Sequence, residues 1–178
     1  EQLPQEVLDQ VKRLTLHVIG ASIGALPIEQ TQKAINMVYA KGGVGEATVW
    51  GSDGKKVPAR EAAFANGAIS DIMDWADCHW TGHASAGAVP VALAMGEKLK
   101  LSGKDYMTAV VAGFEGYTRI AMAVQTSKEF LKVGSRWGLV SWQIFAASLA
   151  AAKAEKMNAH QIQQVLGASM YNAFAPCN

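Results

Sequence analysis

Residues 62–97 read AAFANGAISDIMDWADCHWTGHASAGAVPVALAMGE. The stretch opens as a small-residue helix with Asn66-Gly67 in its middle and presents three carboxylates, Asp71, Asp74 and Asp77. A short loop with Cys78, His79 and His83 follows, and a second apolar helix is expected to start near Pro90. Two apolar helices joined by a run of ionisable groups point to a helical fold with polar chemistry gathered at one junction. A buried charge costs several kcal/mol unless it is paired. Structural need alone therefore explains few of these groups, and the junction reads as a site.

On either side the chain reads as helix almost throughout. Pro4 opens the first helix, with Val7, Leu8, Val11, Leu14, Val18 and Ile19 recurring every three or four residues. Pro27 stands where a second helix can begin, proline being tolerated at the first helical position. That helix continues through Ala34, Ile35 and Val38 to Gly42-Gly43. Thr48-Val49-Trp50 and Lys55-Lys56-Val57 flank Asp53-Gly54, a small hairpin signal because glycine supplies the positive φ of such turns. Pro58 starts the Asn66-Gly67 helix. Ser102 and Asp105 form an N-terminal cap for a helix through Met122. An alanine-rich helix is expected over 140–155, and Asn158 with Gln161 caps a last one running toward Phe174. The expected fold class is all-α: one bundle-like helical domain over residues 1–178, with at most one small β-hairpin.

At 178 residues the chain can bury a sizeable core. Half of it is apolar and 17% is charged, which excludes a disordered chain. Sixteen basic residues against 15 acidic ones leave no electrostatic footprint for nucleic acid, and Lys55-Lys56 reads as a solvated turn. The longest apolar runs, 86–95 and 144–152, fall short of the roughly 18 residues of a spanning helix, so no membrane partner is expected. The N-terminus shows no charged-then-apolar signal pattern. Cys78 and Cys177 make no disulfide framework, so a reducing, cytoplasmic setting is expected.

The motifs, in this order, resemble the MmgE/PrpD family, whose members include 2-methylcitrate dehydratase, cis-aconitate decarboxylase and iminodisuccinate epimerase. The resemblance rests on Ala62-Ala63-Phe64-Ala65-Asn66-Gly67, the aspartate-rich helix end, His83 and Pro90 to Glu97. Flanking pieces extend it over nearly the whole chain: 3–7, Ala47 to Gly51, Gly113 to Arg119, and Ala146 to Lys153 followed by Gln164-Val165-Leu166-Gly167. Each piece is a weak match alone, and their collinearity is what makes the resemblance strong.

By this resemblance Asp74 and His83 fall on active-site positions and are the candidate catalytic pair. Dehydration, decarboxylation and epimerisation of a polycarboxylate all pass through a carbanion-like or enolate-like species beside a carboxylate. A histidine moves that proton near neutral pH, and a carboxylate orients or tunes the imidazole. Asp77, Cys78, Arg136 and Trp137 are the candidate substrate-binding residues; a planar guanidinium such as that of Arg136 suits a substrate carboxylate. The chain departs from the family pattern at Ala76, Cys78 and Ala84, where a second aspartate, a threonine and a proline are usual. Trp137 stands where a second active-site histidine is expected, and an indole exchanges no proton at neutral pH.

The resemblance implies a lyase of the dehydratase or decarboxylase type acting on a hydroxylated or unsaturated organic acid. An isomerase or epimerase of the same family, or a non-catalytic helical subunit of a heteromeric complex, is the alternative. No cofactor and no metal are expected. His79 and His83 would lie together as metal ligands only on a helix, and Gly82 argues against one. The sequence matches only the first part of the family's helical domain. A second polypeptide completing fold and active site is therefore expected, with such units pairing again as a dimer. His17 is expected in the core or an interface, His160 on the surface, and the five tryptophans in packing roles.

Overall fold

The computed structural model describes residues 3–79, 81–124 and 142–173. Helix α1 (Gln5–Ala25) follows Pro4 and buries Val11, Val18, Ala21 and Ala25 along one stripe. Helix α2 (Glu29–Lys41) begins two residues after Pro27 and ends at Gly42, which takes φ 65°. Strands β1 (Ala47–Thr48) and β2 (Lys56–Val57) pair antiparallel, with Ala47 opposite Val57 and Thr48 opposite Lys56. Trp50, expected in the first strand, lies beyond it: its N–H donates to Asn66 Oδ1 at 2.9 Å. The Asn66 Nδ2 donates to the Thr48 carbonyl at 2.9 Å. Asn66 is 1% exposed. Its amide thus satisfies both a donor and an acceptor of the hairpin from inside a helix, as a buried polar group must.

Helix α3 (Ala59–Asp71) carries that asparagine. Helix α4 (Ser85–Leu99) starts five residues earlier than expected and contains Pro90 in its interior. Proline is ordinarily confined to a first turn. Here the preceding turn is held by Asp77, whose carboxylate accepts the Ser85 N–H at 3.1 Å and the Ser85 hydroxyl. Helix α5 (Gly103–Val124) is capped by Ser102, whose Oγ accepts the Asp105 N–H at 3.1 Å and donates to its carboxylate at 2.9 Å. Helices α6 (Gln143–Ala154) and α7 (Ala159–Asn172) follow, the second with the expected Asn158–Gln161 capping box. The described residues thus form seven helices and one two-stranded hairpin, an all-α fold as the sequence led us to expect.

Helix α4 packs against α1, α3, α5 and α6 and is the hub of the domain. One apolar cluster joins α2, the hairpin and α3 through Ile35, Val38, Val49, Val57 and Ile69. A second joins α1, α4 and α5 through Val11, Val18, Val89 and Val110, and a third places Tyr117, Trp142 and Phe145 together. Close approach of α5 to α6 depends on Gly113, where an added Cβ would meet the Ala146 carbonyl oxygen at 2.7 Å. Glu61 is 4% exposed yet ionised. The Lys41 ammonium at 2.9 Å, with the Arg60 guanidinium at 2.7 Å, holds its carboxyl below the usual glutamate range. No helix among the described residues is long and apolar enough to cross a membrane.

Candidate active site

The site begins where α3 ends. Asp71 is its last residue, and the Asp74 N–H bonds back to the Asp71 carbonyl at 3.0 Å. Asp74 takes φ 53°, a left-handed conformation that aspartate tolerates better than most residues. This turn throws the Asp74 side chain outward, where it is 90% exposed. His17, on the solvent side of α1 and not in the core, hydrogen-bonds through Nε2 to the Trp75 carbonyl and ties the loop to that helix. Trp75 is itself 60% exposed rather than packed.

A tight turn follows. His79 and Gly82 exchange both backbone hydrogen bonds, at 3.0 and 2.8 Å, and Gly82 takes φ 124°, a conformation that favours glycine. The His79 Nδ1 accepts the Thr81 N–H at 3.3 Å and lies 2.8 Å from the Thr81 hydroxyl. Beneath the turn, the buried Tyr117 hydroxyl donates to the Thr81 carbonyl at 3.0 Å. Burial pushes the Tyr117 phenol well above its ordinary pKa, with the Thr81 hydrogen bond opposing and the Asp77 and Asp71 charges adding. The phenol therefore stays a neutral donor.

His83 emerges from this turn with 12% of its side chain exposed. Its Nδ1 lies 2.7 Å from the Asp77 carbonyl, and a carbonyl only accepts, so Nδ1 carries the hydrogen. In the neutral ring Nε2 then holds the lone pair. That atom stands 4.0 Å from Asp74 Oδ1. Gln143, at the start of α6, donates its Nε2 to the His83 carbonyl at 3.2 Å. The imidazole is thus held by the backbone on one side while its basic nitrogen faces a solvated carboxylate, the orientation a proton-transfer group needs.

Asp71 adds a feature the sequence reading assigned no role. Its Oδ1 is buried without a hydrogen-bond partner. Burial pushes its carboxyl pKa up, against the opposing effects of His83 and the Gln143 side chain and with the reinforcing charges of Asp74 and Asp77. Asp71 and Gln143 also close one end of a groove of about 660 Å³ along α3, α4 and α6, with Arg60 and Lys98 at the other end.

Of the residues singled out by sequence, His83, Asp74, Asp77 and Cys78 come together in one loop. The Asp77 carboxylate is engaged with Ser85, and Cys78 is exposed, its thiol 3.9 Å from the His79 carbonyl. Arg136, Trp137, Trp80 and Cys177 lie outside the described residues. His79 and Gly82 bridge to one another and Gly82 takes a positive φ, so His79 and His83 are not placed together on a helix as a metal pair would need; among the described residues no group of three or more His, Cys, Asp or Glu is placed to hold a metal ion. Sequence reasoning named Asp71 among the three carboxylates but gave it no role, and it missed Thr81, Tyr117 and Gln143. Thr81 sits within the loop itself, whereas Tyr117 and Gln143 reach it only through tertiary packing.

A family model of the MmgE/PrpD N-terminal domain matches residues 1–177. The cis-aconitate decarboxylase of Homo sapiens is 26% identical over 179 residues, covering 98% of this chain and 37% of that protein. The cis-aconitate decarboxylase of Mus musculus is 28% identical over 135 residues, covering 73% of this chain and 28% of that protein. The chain therefore spans well under half the length of the curated relatives it matches. Motif order, helical architecture and the profile match over residues 1–177 agree: the chain belongs to the MmgE/PrpD family, in the part formed by its N-terminal domain.

Proposed function

We propose that this chain is part of a lyase, of the dehydratase or decarboxylase type, acting on a hydroxylated or unsaturated organic acid. The observation that carries the reading is the His83 imidazole, fixed through Nδ1–H on the Asp77 carbonyl with Nε2 toward Asp74. In a dehydration, Nε2 takes the proton from the carbon beside a substrate carboxylate, the C–H electron pair forms the double bond, and the hydroxyl on the next carbon leaves with its C–O pair and is protonated to water by solvent. In a decarboxylation, the carbon–carbon bond to the departing CO₂ breaks, its electron pair stays on carbon, and imidazolium returns a proton there. Asp74 Oδ1, 4.0 Å from Nε2, orients the ring in either direction. Two relatives that are named decarboxylases support the lyase class.

The reading includes a second polypeptide, or a further part of the same one, that completes the site. Among the described residues, His83, Asp74 and Asp77 bond to backbone, serine and each other and to no lysine or arginine. A polycarboxylate needs cations to bind, so these come from elsewhere: from Arg136 and from the completing chain. Epimerisation uses the same proton transfer and remains the alternative. A non-catalytic role is favoured by one observation, the tryptophan at 137. The cytoplasmic setting is retained from the cysteine usage.

The test is His83→Asn in the complete assembly, assayed against a panel of hydroxylated and unsaturated di- and tricarboxylates. Loss of a general acid–base group costs ~10²–10⁴-fold in turnover. A wild-type rate in the folded variant would remove His83 from the chemistry.

A further inference from the structure

His83 has a backbone N–H, a backbone carbonyl and two ring nitrogens to satisfy, and separate parts of the fold engage three of these groups. Its carbonyl accepts from Gln143 Nε2 of α6 at 3.2 Å. Its backbone N–H interacts with the hydroxyl oxygen of Tyr117 on α5. That phenol is buried, and its own hydrogen goes to the Thr81 carbonyl at 3.0 Å, so one side chain holds the backbone on both sides of Gly82. The ring Nδ1 lies 2.7 Å from the Asp77 carbonyl. Both ends of this last contact are pinned. The Asp77 carboxylate accepts the Ser85 N–H at 3.1 Å, while Tyr117 and Gln143 hold His83. Helix α6 is itself set close against α4 here: a Cβ added at Gly87 would meet the Gln143 carbonyl oxygen at 2.9 Å.

Two acceptors compete for the hydrogen of the neutral imidazole. A bond from Nδ1 to the Asp77 carbonyl and a bond from Nε2 to the Asp74 carboxylate demand opposite tautomers. The carboxylate is the stronger acceptor in kind, charge-assisted bonds being roughly twice as strong as neutral ones. Yet Asp74 Oδ1 stands 4.0 Å from Nε2, beyond bonding distance, while the weaker carbonyl lies at 2.7 Å. The placement of the His83 backbone, and not acceptor strength, selects the tautomer. We propose that Tyr117 and Gln143 are positioning residues that keep His83 in its Nδ1–H form, and so keep Nε2 the basic atom. Both act through the His83 backbone. With those holds removed the ring swings toward Asp74, the hydrogen moves to Nε2, and the lone pair that accepts a substrate proton is lost. The inference rests on reading His83 as the proton-transfer group, but the tautomer itself is measurable without turnover.

The test is nitrogen-15 histidine spectroscopy of this chain in its complete assembly, at about pH 8, where an ordinary imidazole is neutral. The two ring-nitrogen shifts report the tautomer, and His83→Asn assigns the signal. Wild type is expected in the Nδ1–H form. Tyr117→Phe and Gln143→Met keep side-chain size and remove the hydrogen-bonding group. Each should raise the Nε2–H share, and the double variant should raise it most. Adding Asp74→Ala to Tyr117→Phe removes the competing acceptor and should restore the Nδ1–H form. In the double variant kcat should fall by up to ~10²-fold, as for a misplaced catalytic group, with KM held within about twofold. Circular dichroism verifies folding, and the half-buried Gln143 keeps the test open if Tyr117→Phe does not fold. A wild-type ring in the Nε2–H form would overturn the proposal. So would variants that melt lower yet keep the wild-type tautomer, the result expected of residues with a structural role alone. A shifted tautomer with turnover indifferent to His83→Asn would uphold the positioning and sink the catalytic reading. Turnover lost in His83→Asn, with the tautomer unmoved in both variants, would do the reverse.

Discussion

Asp77→Ala is expected to destabilise the protein, because the Asp77 carboxylate anchors the first residue of α4. The side chain accepts the Ser85 N–H at 3.1 Å and the Ser85 hydroxyl, and Ser85 is 1% exposed. Removing the carboxylate strands a buried hydroxyl, at a cost of ~1–3 kcal/mol, and solvent screening of the half-buried aspartate puts the loss in the lower part of that range. It also takes a cap from the start of α4, worth ~0.5–2 kcal/mol. The two overlap, since both concern Ser85, so the net loss is about 2 kcal/mol. For a domain of this size each kcal/mol moves Tm by ~2–4 °C. A fall of about 4–8 °C in a calorimetric or circular-dichroism melt follows. Asp77→Asn keeps one acceptor oxygen and should lose less than half as much. A melt unchanged in Asp77→Ala, with only KM raised in the assembled protein, would refute the anchoring role and make Asp77 a substrate ligand.

Three further outcomes follow from the same geometry. Tyr117→Phe keeps the buried ring but removes the donor to the Thr81 carbonyl, and should cost ~1–3 kcal/mol while speeding hydrogen exchange at the His79 and Gly82 amides. Gly113→Ala sets overpacking of ~1–3 kcal/mol against the ~1 kcal/mol that alanine gains over glycine in a helix. With the new Cβ 2.7 Å from a backbone oxygen the clash dominates, and urea unfolding should show a lower midpoint. Glu61 has a folded pKa below its ordinary 4.5, chiefly through the Lys41 bond, so its contribution is present above that pH and lost as pH falls through the folded value. Glu61→Gln should therefore be less stable than wild type at pH 7, with the gap closing as acidification passes below the ordinary 4.5 and through the lowered folded value.

The helices were legible because their signals are local: the three- and four-residue apolar spacing of α1, the Ser102–Asp105 and Asn158–Gln161 caps, and the glycines after Lys41. The start of α4 was not, because Pro90 reads as a first-turn proline. The true start depends on a carboxylate eight residues before Ser85, folded back across the 79–82 turn. Asn66-Gly67 was recognisable as a motif, yet its role in clamping the hairpin required Thr48 and Trp50 to be placed beside it. In the site, the crowding of Asp74, Asp77 and His83 was visible from spacing. Tyr117 and Gln143 lie 36 and 60 residues from the groups they bond, and helical periodicity marks both only as face positions. His17 shows the same gap from the other direction. Its apolar neighbours in sequence suggested burial, whereas its partner is the Trp75 carbonyl on the solvent side.

The central claim is that Nε2 of His83 moves a proton at the carbon beside a substrate carboxylate. Its most direct test is solvent-deuterium incorporation into the acid turned over by the complete assembly, followed by proton NMR for wild type and His83→Asn. The account predicts enzyme-dependent incorporation at that carbon, reduced ~10²–10⁴-fold in the variant with folding intact. Incorporation at the wild-type rate in His83→Asn would contradict it.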